Sequence, residues 1–389
     1  MTPYSSGTRV PATSLQGERY LAFLPSTMRT DIVWQDPQVY TLLEEAGRLL
    51  GELNAYSKLV PEIDYFIESH VAKEAEQSSR IEGTKTTLEE VYMEVEDLEA
   101  GEKVNDREEV LNYITAMNQS VERMLTPNQP PLSLRLVCDA HRALLAGVRG
   151  HNRNPGRVRV VQNKIGGSNS PTLADAIFIP PQPSDVASIL GDLERFWHNA
   201  DTTMPNLIKV AYAHYQFETI HPFDDGNGRI GRLIIVLQLM SYGMLQSPVL
   251  YLSDYLEKNR QAYYDALMRV REHNDLEHWV KFFLIGIRDT ANKGRETLEA
   301  IIDLRRSYEK RIEGTPSTSR QKLMKILLKN MYRKPVITAQ EVETILGVTK
   351  PTAHKIVNEL AEVKILKEKT GMQRHRVYTL HEYLGLFNQ

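Results

Sequence analysis

Twelve consecutive residues, His221 to Arg232, concentrate groups suited to handling a polyphosphate: His-Pro-Phe-Asp-Asp-Gly-Asn-Gly-Arg-Ile-Gly-Arg. Gly226-Asn227-Gly228 is a turn that tolerates positive φ, so successive amides can converge on one anion. Beyond it, Ile230 and Leu233 to Leu237 begin a helix that is apolar nearly all round, as expected of one buried at the centre of a domain. The turn therefore stands at the N-terminus of a core helix, where unpaired amides and the helix dipole favour phosphate. Arg229 and Arg232 are three apart, share a face one turn in, and can both reach a polyphosphate; Ile230 and Gly231 lie between them in the same binding segment. Asp225 supplies the hard carboxylate oxygen that Mg²⁺ prefers when it bridges phosphates. His221, just before the turn, can be neutral at cellular pH and accept a proton from an attacking hydroxyl.

A second set lies far upstream, where Ser78 to Gly83 read Ser-Ser-Arg-Ile-Glu-Gly. Ser78 and Glu82 are four apart, so on a helix the hydroxyl can steady the carboxylate. Glu82 would sit in the last turn, where the dipole disfavours negative charge by roughly 0.3–1 kcal/mol. An acid placed there calls for a nearby cation, which spacing alone does not name.

The segment from His221 to Arg232 resembles the Fic family signature, His-Pro-Phe-x-Asp-Gly-Asn-Gly-Arg-x-x-Arg, with all nine defined positions filled. By pattern the likeness covers roughly Glu62 to Ile287. Asn163-Lys164-Ile165-Gly166-Gly167 is similar to the family's target-positioning flap, and Asn259 to Tyr264 resembles the segment that helps hold the nucleotide, through Tyr263 and Tyr264. The resemblance implies a protein adenylyltransferase that moves AMP from ATP to a Ser, Thr or Tyr hydroxyl of a target protein and of itself. His221 would be the general base and Asp225 the Mg²⁺ ligand between the α- and β-phosphates. The amides of Gly226 to Gly228 with the Asn227 side chain would steady the α-phosphate, and Arg229 and Arg232 would take the outer phosphates. Ser78 to Gly83 matches the family's inhibitory pattern Ser/Thr-x-x-x-Glu-Gly/Asn, which implies that Glu82 pairs with Arg232 and denies the γ-phosphate its anchor. Two other readings stay open. One is a DNA-binding regulator whose core only senses nucleotide; the other is a hydrolase that removes AMP, with Glu82 positioning water.

Elements that must position these residues follow from periodicity, and the expected fold is mainly α. The first thirty-odd residues lack clear periodicity and read as an extended arm. Amphipathic spacing predicts helices over Tyr40 to Leu53, from Pro61 to Ile81 with Gly83 as the stop, and over Leu88 to Leu98. Further helices are expected over Val110 to Met124, Leu132 to Leu145, and from Ser184 with breaks to about Leu298. Between Arg157 and Ile179, the β-prone runs Val158 to Val161 and Ala176 to Ile179 flank a Gly- and Ser-rich loop, which predicts a β-hairpin flap. Gly314 to Ser319 reads as a linker. The expected domains are 1–100, an arm and helical region carrying the inhibitory helix; 101–300, the catalytic core; and 315–389, a compact basic module.

That module carries 13 Lys+Arg against 6 Asp+Glu, within a chain whose formal net charge is −3. Thr338 to Ile345, the turn Leu346-Gly347-Val348, and Lys350 to Leu360 have helix-turn-helix spacing, with Thr349 as N-cap and Pro351 in the first turn. Thr352, His354, Lys355 and Asn358 are expected outward, and strands Ile365 to Lys369 and Arg376 to Leu380 around Gly371 form a wing carrying Lys367, Lys369, Arg374 and Arg376. The module resembles a winged helix, for which DNA and a second copy of the chain are both open partners. Cys138 is the only cysteine, which excludes an intrachain disulfide and a thiolate metal cluster. The longest apolar stretch is far short of the roughly 20 residues of a membrane span. With a polar N-terminus, the cytoplasm is the expected compartment.

Overall fold

Long runs of straight-chain and apolar residues at helical spacing make this a helical protein. The computed structural model describes residues 4–388 apart from 15–16, 60–62, 94–101, 128–131, 167–171, 174, 201 and 370–375. In chain order the described elements begin with strands β1 (Gly7–Thr13) and β2 (Arg19–Pro25) and helices α1 (Gln38–Leu59), α2 (Asp64–Ile81), α3 (Leu88–Val91), α4 (Glu102–Leu125) and α5 (Leu134–Leu144). Then follow α6 (Pro183–His198), α7 (Asn206–Ile220), α8 (Asn227–Ser241), α9 (Ser253–Lys258), α10 (Arg260–His273) and α11 (Leu276–Glu313). The C-terminal part comprises α12 (Thr318–Met331), β3 (Val336–Thr338), α13 (Ala339–Leu346), α14 (Lys350–Glu362), β4 (Lys367–Glu368), β5 (Val377–Thr379) and α15 (His381–Gly385).

The centre is α8, buried from Arg229 to Leu239 and surrounded by α7, α4, α5 and α2. A helix apolar on every side can exist in water only when neighbours cover every side, which is what its sequence required. Helix α2 is also buried along most of its length, but its buried residues include Ser69, His70, Lys73, Glu74, Glu76, Gln77, Ser78 and Ser79. Such a polar helix needs internal partners. Lys73 pairs with Glu76 at 3.0 Å, and both Glu74 carboxylate oxygens accept from Ser253.

Several expectations are corrected. The arm is a β-hairpin: β1 and β2 pair antiparallel from Gly7 opposite Pro25 to Thr13 opposite Arg19. It is tied down by Ser6, which donates to the Asn274 side chain, and by the Phe23 amide, which donates to the Ile179 carbonyl at 2.9 Å. The flap forms no strand among its described residues. It closes with one antiparallel bridge, Ile165 opposite Phe178, and the loop from Gly167 to Pro171 lies outside the described residues. Of the helix expected over Leu88 to Leu98, Leu88–Val91 is described, opened by a capping box in which Thr87 and Glu90 satisfy each other's amides. The start expected at Pro61 also lies outside the described residues.

The helix expected to end near Leu298 runs on to Glu313 as α11, 38 residues or about 57 Å. The Gly314 to Ser319 linker is therefore a tight turn, with Thr318 and Ser319 already in α12. Beyond it, α13 and α14 meet at a Gly347 turn beside a three-stranded antiparallel sheet of order β3-β5-β4. His354, Lys355 and Asn358 are exposed on α14; Gly371 and Arg374 lie outside the described residues. This C-terminal part is seated on α2. Tyr383 Oη donates to Ser69 at 3.0 Å, Phe66 lies against the rings of Tyr332 and Tyr383, and His70 meets Phe387 edge-on.

Candidate active site

Helix α7 ends at Ile220, and its C-cap residue is His221 in the left-handed region, φ 49° and ψ 61°. A non-glycine residue in that region is uncommon and worth a functional question. The conformation reverses the chain so that Pro222 to Asp225 lead directly into α8. Gly226 makes the second left-handed turn at φ 77°, and α8 starts without a side-chain cap. Its N-cap, a glycine, brings no side chain of its own to the first amides, as a helix start that receives an anion requires.

The His221 Nδ1 is buried and has no hydrogen-bond partner. Burial, reinforced by the positive charges of Arg271 and Arg159, pushes this imidazole down to about pKa 3. It is held neutral and can accept a proton.

Two parts of the predicted site meet as expected. Arg232, buried on α8, donates from Nη2 to Glu82 Oε1 at 2.6 Å, from Nε to Ser78 Oγ at 2.9 Å and from Nη2 to the Ser78 carbonyl at 2.9 Å. Glu82 is the C-cap of α2, as its place before Gly83 implied. Burial works against its ionisation, but the Arg232 guanidinium outweighs that and keeps the carboxyl below its ordinary range. The carboxylate lies so close to the start of α8 that a Cβ on Gly228 would collide with Glu82 Oε1. A carboxylate therefore occupies the space at a helix start and on an arginine that a phosphate would favour.

Other residues are placed differently. Arg229 does not share a target with Arg232. It forms an ion pair with Glu109 of α4 at 2.9 Å, both side chains 2% exposed, and its Nη2 is 3.8 Å from Asp225. Asn227, expected to steady phosphate with its side chain, spends both ends of that amide on Phe223, accepting from its N–H and donating to its carbonyl at 2.8 Å each. Ile230 is core. Gly231 places its carbonyl 3.1 Å from His214 Nδ1. Tyr263 is core as well, with its hydroxyl 2.8 Å from His214 Nε2, whereas Tyr264 is 37% exposed with the Arg260 guanidinium 6.0 Å from its ring centre.

Asp225 sits at the mouth of the site. Its Oδ1 accepts the Gly226 amide at 2.6 Å and its side chain is 38% exposed. Among the described residues no group of three or more His, Cys, Asp or Glu could hold a metal ion. The arrangement suits a cation that takes one carboxylate from the protein and its remaining oxygens from phosphates and water.

On the flap, Asn163 Nδ2 donates to the carbonyls of His221 and Phe223 at 3.1 Å each, so this residue braces the histidine loop. Lys164 pairs with Asp175 at 2.6 Å; Ile165 makes the bridge, and Gly166 turns the chain at φ 66°.

Three contributors were missed by sequence reasoning. Glu109 holds Arg229 from 120 positions away. His141 stacks on Phe223 with ring centres 3.8 Å apart, accepts the Gly156 amide on Nδ1 and so donates from Nε2 to the Asp225 carbonyl at 2.9 Å. Arg159 is buried and donates to carbonyls on both the flap and the histidine loop. Each acts through a distant chain segment, which leaves no trace in local spacing. The nearest signal is the charged Arg159 within the β-branched run Val158 to Val161.

A left-handed histidine, an uncapped core-helix start and a buried arginine come together here within a helical domain. Residues 131–239 match the Fic/DOC family and residues 40–122 match the Fic/DOC family N-terminal region, so the chain carries a Fic domain preceded by the family's N-terminal region. Protein adenylyltransferase Fic of Culex quinquefasciatus is 30% identical over 184 residues, 47% of this chain and 33% of that one. The protein of the same name from Drosophila persimilis is 28% identical over 209 residues, 52% of this chain and 36% of that one. The chain thus spans about a third of the length of these curated relatives. Among solved structures, a Fic family protein from Desulfovibrio desulfuricans G20 shares the fold with a TM-score of 0.58 and 20% identity, over 90% of this chain and 98% of that one. Fic-1 from C. elegans gives 0.51 and 20%, over 69% and 73%. Among the described residues no helix is long and apolar enough to cross a membrane.

Proposed function

We propose that this chain transfers AMP from ATP to a Ser, Thr or Tyr hydroxyl of a protein, itself included, and that Glu82 restrains the reaction by occupying Arg232. The carrying observation is the neutral, left-handed His221 standing directly before the uncapped start of α8. On this reading the α-phosphate lies at that start. The target oxygen attacks the α-phosphorus in line, the bond from that phosphorus to the oxygen bridging the β-phosphate breaks, and pyrophosphate leaves. His221 takes the hydroxyl proton. Arg232 holds the terminal phosphate once Glu82 gives it up, and Arg229, fixed by Glu109, adds positive charge beside the helix start. Asp225 would hold a magnesium ion, which supplies charge neutralisation on the phosphates. His141 fixes the Asp225 main chain, and Asn163 fixes that of His221.

The test is incubation of the Glu82→Gly protein with α-labelled ATP. Label is expected on protein, and His221→Ala in the same background should abolish it. Label that persists without the imidazole would defeat the proposed base.

The position of Glu82 between Arg232 and the helix start also supports hydrolysis of an AMP-modified protein, with Glu82 aligning water. That reading requires free AMP to be released from a pre-modified target and no net incorporation. The C-terminal part, with α14 exposing His354, Lys355 and Asn358, supports the winged-helix reading and contact with duplex DNA. A mobility shift that weakens with salt is expected; no retardation at low ionic strength removes it.

A further inference from the structure

The last turn of α7 contains no basic residue of its own, and Glu218 stands in it, the wrong sign for that end of the dipole. Its unpaired carbonyls need donors from elsewhere. Two arginines supply them from different elements. Arg271 of α10 donates from Nη2 to the Glu218 carbonyl at 3.0 Å and from Nε to Thr219 Oγ1 at 3.2 Å. Arg159 of the flap base donates from Nε to the His221 carbonyl at 2.9 Å and from Nη2 to the Ile220 carbonyl at 3.4 Å.

Neither arginine forms an ion pair among the described residues, although Arg159 is 2% exposed. Buried guanidinium without a carboxylate is costly and uncommon. Here its donors are satisfied by main-chain oxygens on two separate segments. Besides the histidine turn, Arg159 reaches Pro181 at 2.6 Å and Val161 at 3.2 Å, the carbonyls on the two sides of the flap. The Arg159 amide donates in turn to the Pro222 carbonyl at 2.9 Å. Arg271 makes the same link by another route, with its guanidinium 4.0 Å from the centre of the Phe178 ring, which carries the flap's bridge to Ile165.

We infer that Arg159 and Arg271 are positioning residues that clamp the flap to the left-handed His221 turn, so that the base and the target-bearing segment keep one fixed geometry. This rests on the reading of His221 as the general base. Left-handed backbone at a bulky residue is held only where its surroundings over-determine it, and these donors do so from both sides. The clamp touches neither nucleotide anchor, Arg232 or the start of α8. It should therefore govern the rate of transfer and leave nucleotide binding alone.

The experiment compares Arg159→Ala, Arg159→Lys and Arg271→Ala in the Glu82→Gly background, reading single-turnover AMP transfer at saturating ATP and the Kd of a non-hydrolysable ATP analogue. Misplacing a reacting group by an ångström costs about a hundredfold in rate, so Arg159→Ala should lose about that much with Kd within about threefold of the parent. Lysine keeps the charge and at least one carbonyl contact and should recover part of the loss. Arg271→Ala should fall on the same side of the split, and it carries the test with the lysine variant if Arg159→Ala does not fold. Rates within about threefold of the parent, a Kd that rises in proportion to the lost rate, or lysine as inactive as alanine would each overturn the clamp. A parent without transfer defeats the adenylyltransfer reading and the clamp together, whereas an active parent with unchanged variants defeats the clamp alone.

Discussion

Replacing Glu82 by Gly should convert a restrained enzyme into an active one, and the size of the effect follows from one guanidinium. Arg232 is 2% exposed and held by Glu82 at 2.6 Å and by two contacts to Ser78. For Arg232 to hold a terminal phosphate it must first release the carboxylate. A hydrogen bond to a charged group is worth about 1.5–3 kcal/mol, which is roughly 10- to 150-fold in productive binding. Automodification with α-labelled ATP should rise by that order in Glu82→Gly, with less than half the gain in Glu82→Gln, where the amide keeps the bond and loses the charge. The same change leaves Arg232 on its Ser78 contacts alone, so nucleotide-free protein should lose about 1–3 kcal/mol of stability, offset in part by relief of an acid at the α2 C-terminus. Added ATP should restore the melting temperature of the mutant more than that of the wild type. Equal incorporation by mutant and wild type, or an unchanged affinity for an ATP analogue, would refute the reasoning.

Glu109→Ala removes one partner of a doubly buried pair and should cost about 3–5 kcal/mol, read as a lowered urea midpoint; an unchanged midpoint would mean that Arg229 is satisfied elsewhere. Deleting residues 315–389 uncovers Phe66, Ser69 and His70 of α2, so the shortened chain should melt earlier and bind a hydrophobic dye, and identical melting would make the C-terminal part an independent appendage. Stability should fall in mild acid. Burial lowers His70 and His141 to about 4 and His214 and His221 to about 3, so the unfolded chain takes up four protons as pH drops below the ordinary histidine value and the folded one does not. Burial raises Glu74 and Glu218 to about 7, so these hold protons in the folded state and contribute in the opposite direction between pH 7 and the ordinary carboxylate value. The six groups together leave a net uptake of about two protons on unfolding near pH 5.5, a loss of about 2.5 kcal/mol per pH unit. A urea midpoint that rises from pH 6.5 to 5 would contradict this.

Legibility depended on how far apart the interacting residues lie. The turn and helix start from His221 to Arg232 are local, and so are the α2 end at Glu82 and the Gly347 turn; residue types and spacing specify all three. The partner of Glu82 was not in the spacing and came from family resemblance, since it lies 150 positions away. Glu109, His141 and Arg159 act through a distant side chain or through main-chain carbonyls, which no residue type advertises. Arg229 and Arg232 do share a short interval, but packing against α4 and α2 respectively sends their guanidinia to different acids. The flap run Val158 to Val161 has strand propensity, yet the Val161 carbonyl is taken by Arg159 and one bridge forms in place of a ladder. Conversely, β1 and β2 pair although Pro11 sits inside the first strand, because β1 is an edge that needs no donor there. Tyr263 shows the limit of motif transfer: its hydroxyl is committed to His214, and the half-exposed Tyr264 is the ring open to solvent.

The most direct measurement is a crystal structure of the Glu82→Gly protein with a non-hydrolysable ATP analogue and magnesium. The account predicts the α-phosphate on the amides at the start of α8, the imidazole of His221 facing its phosphorus, and the terminal phosphate on Arg232. Nucleotide bound elsewhere, for instance in the cleft of about 810 Å³ lined by Arg29, Trp34 and Arg269, or an imidazole turned from the phosphorus, would contradict it.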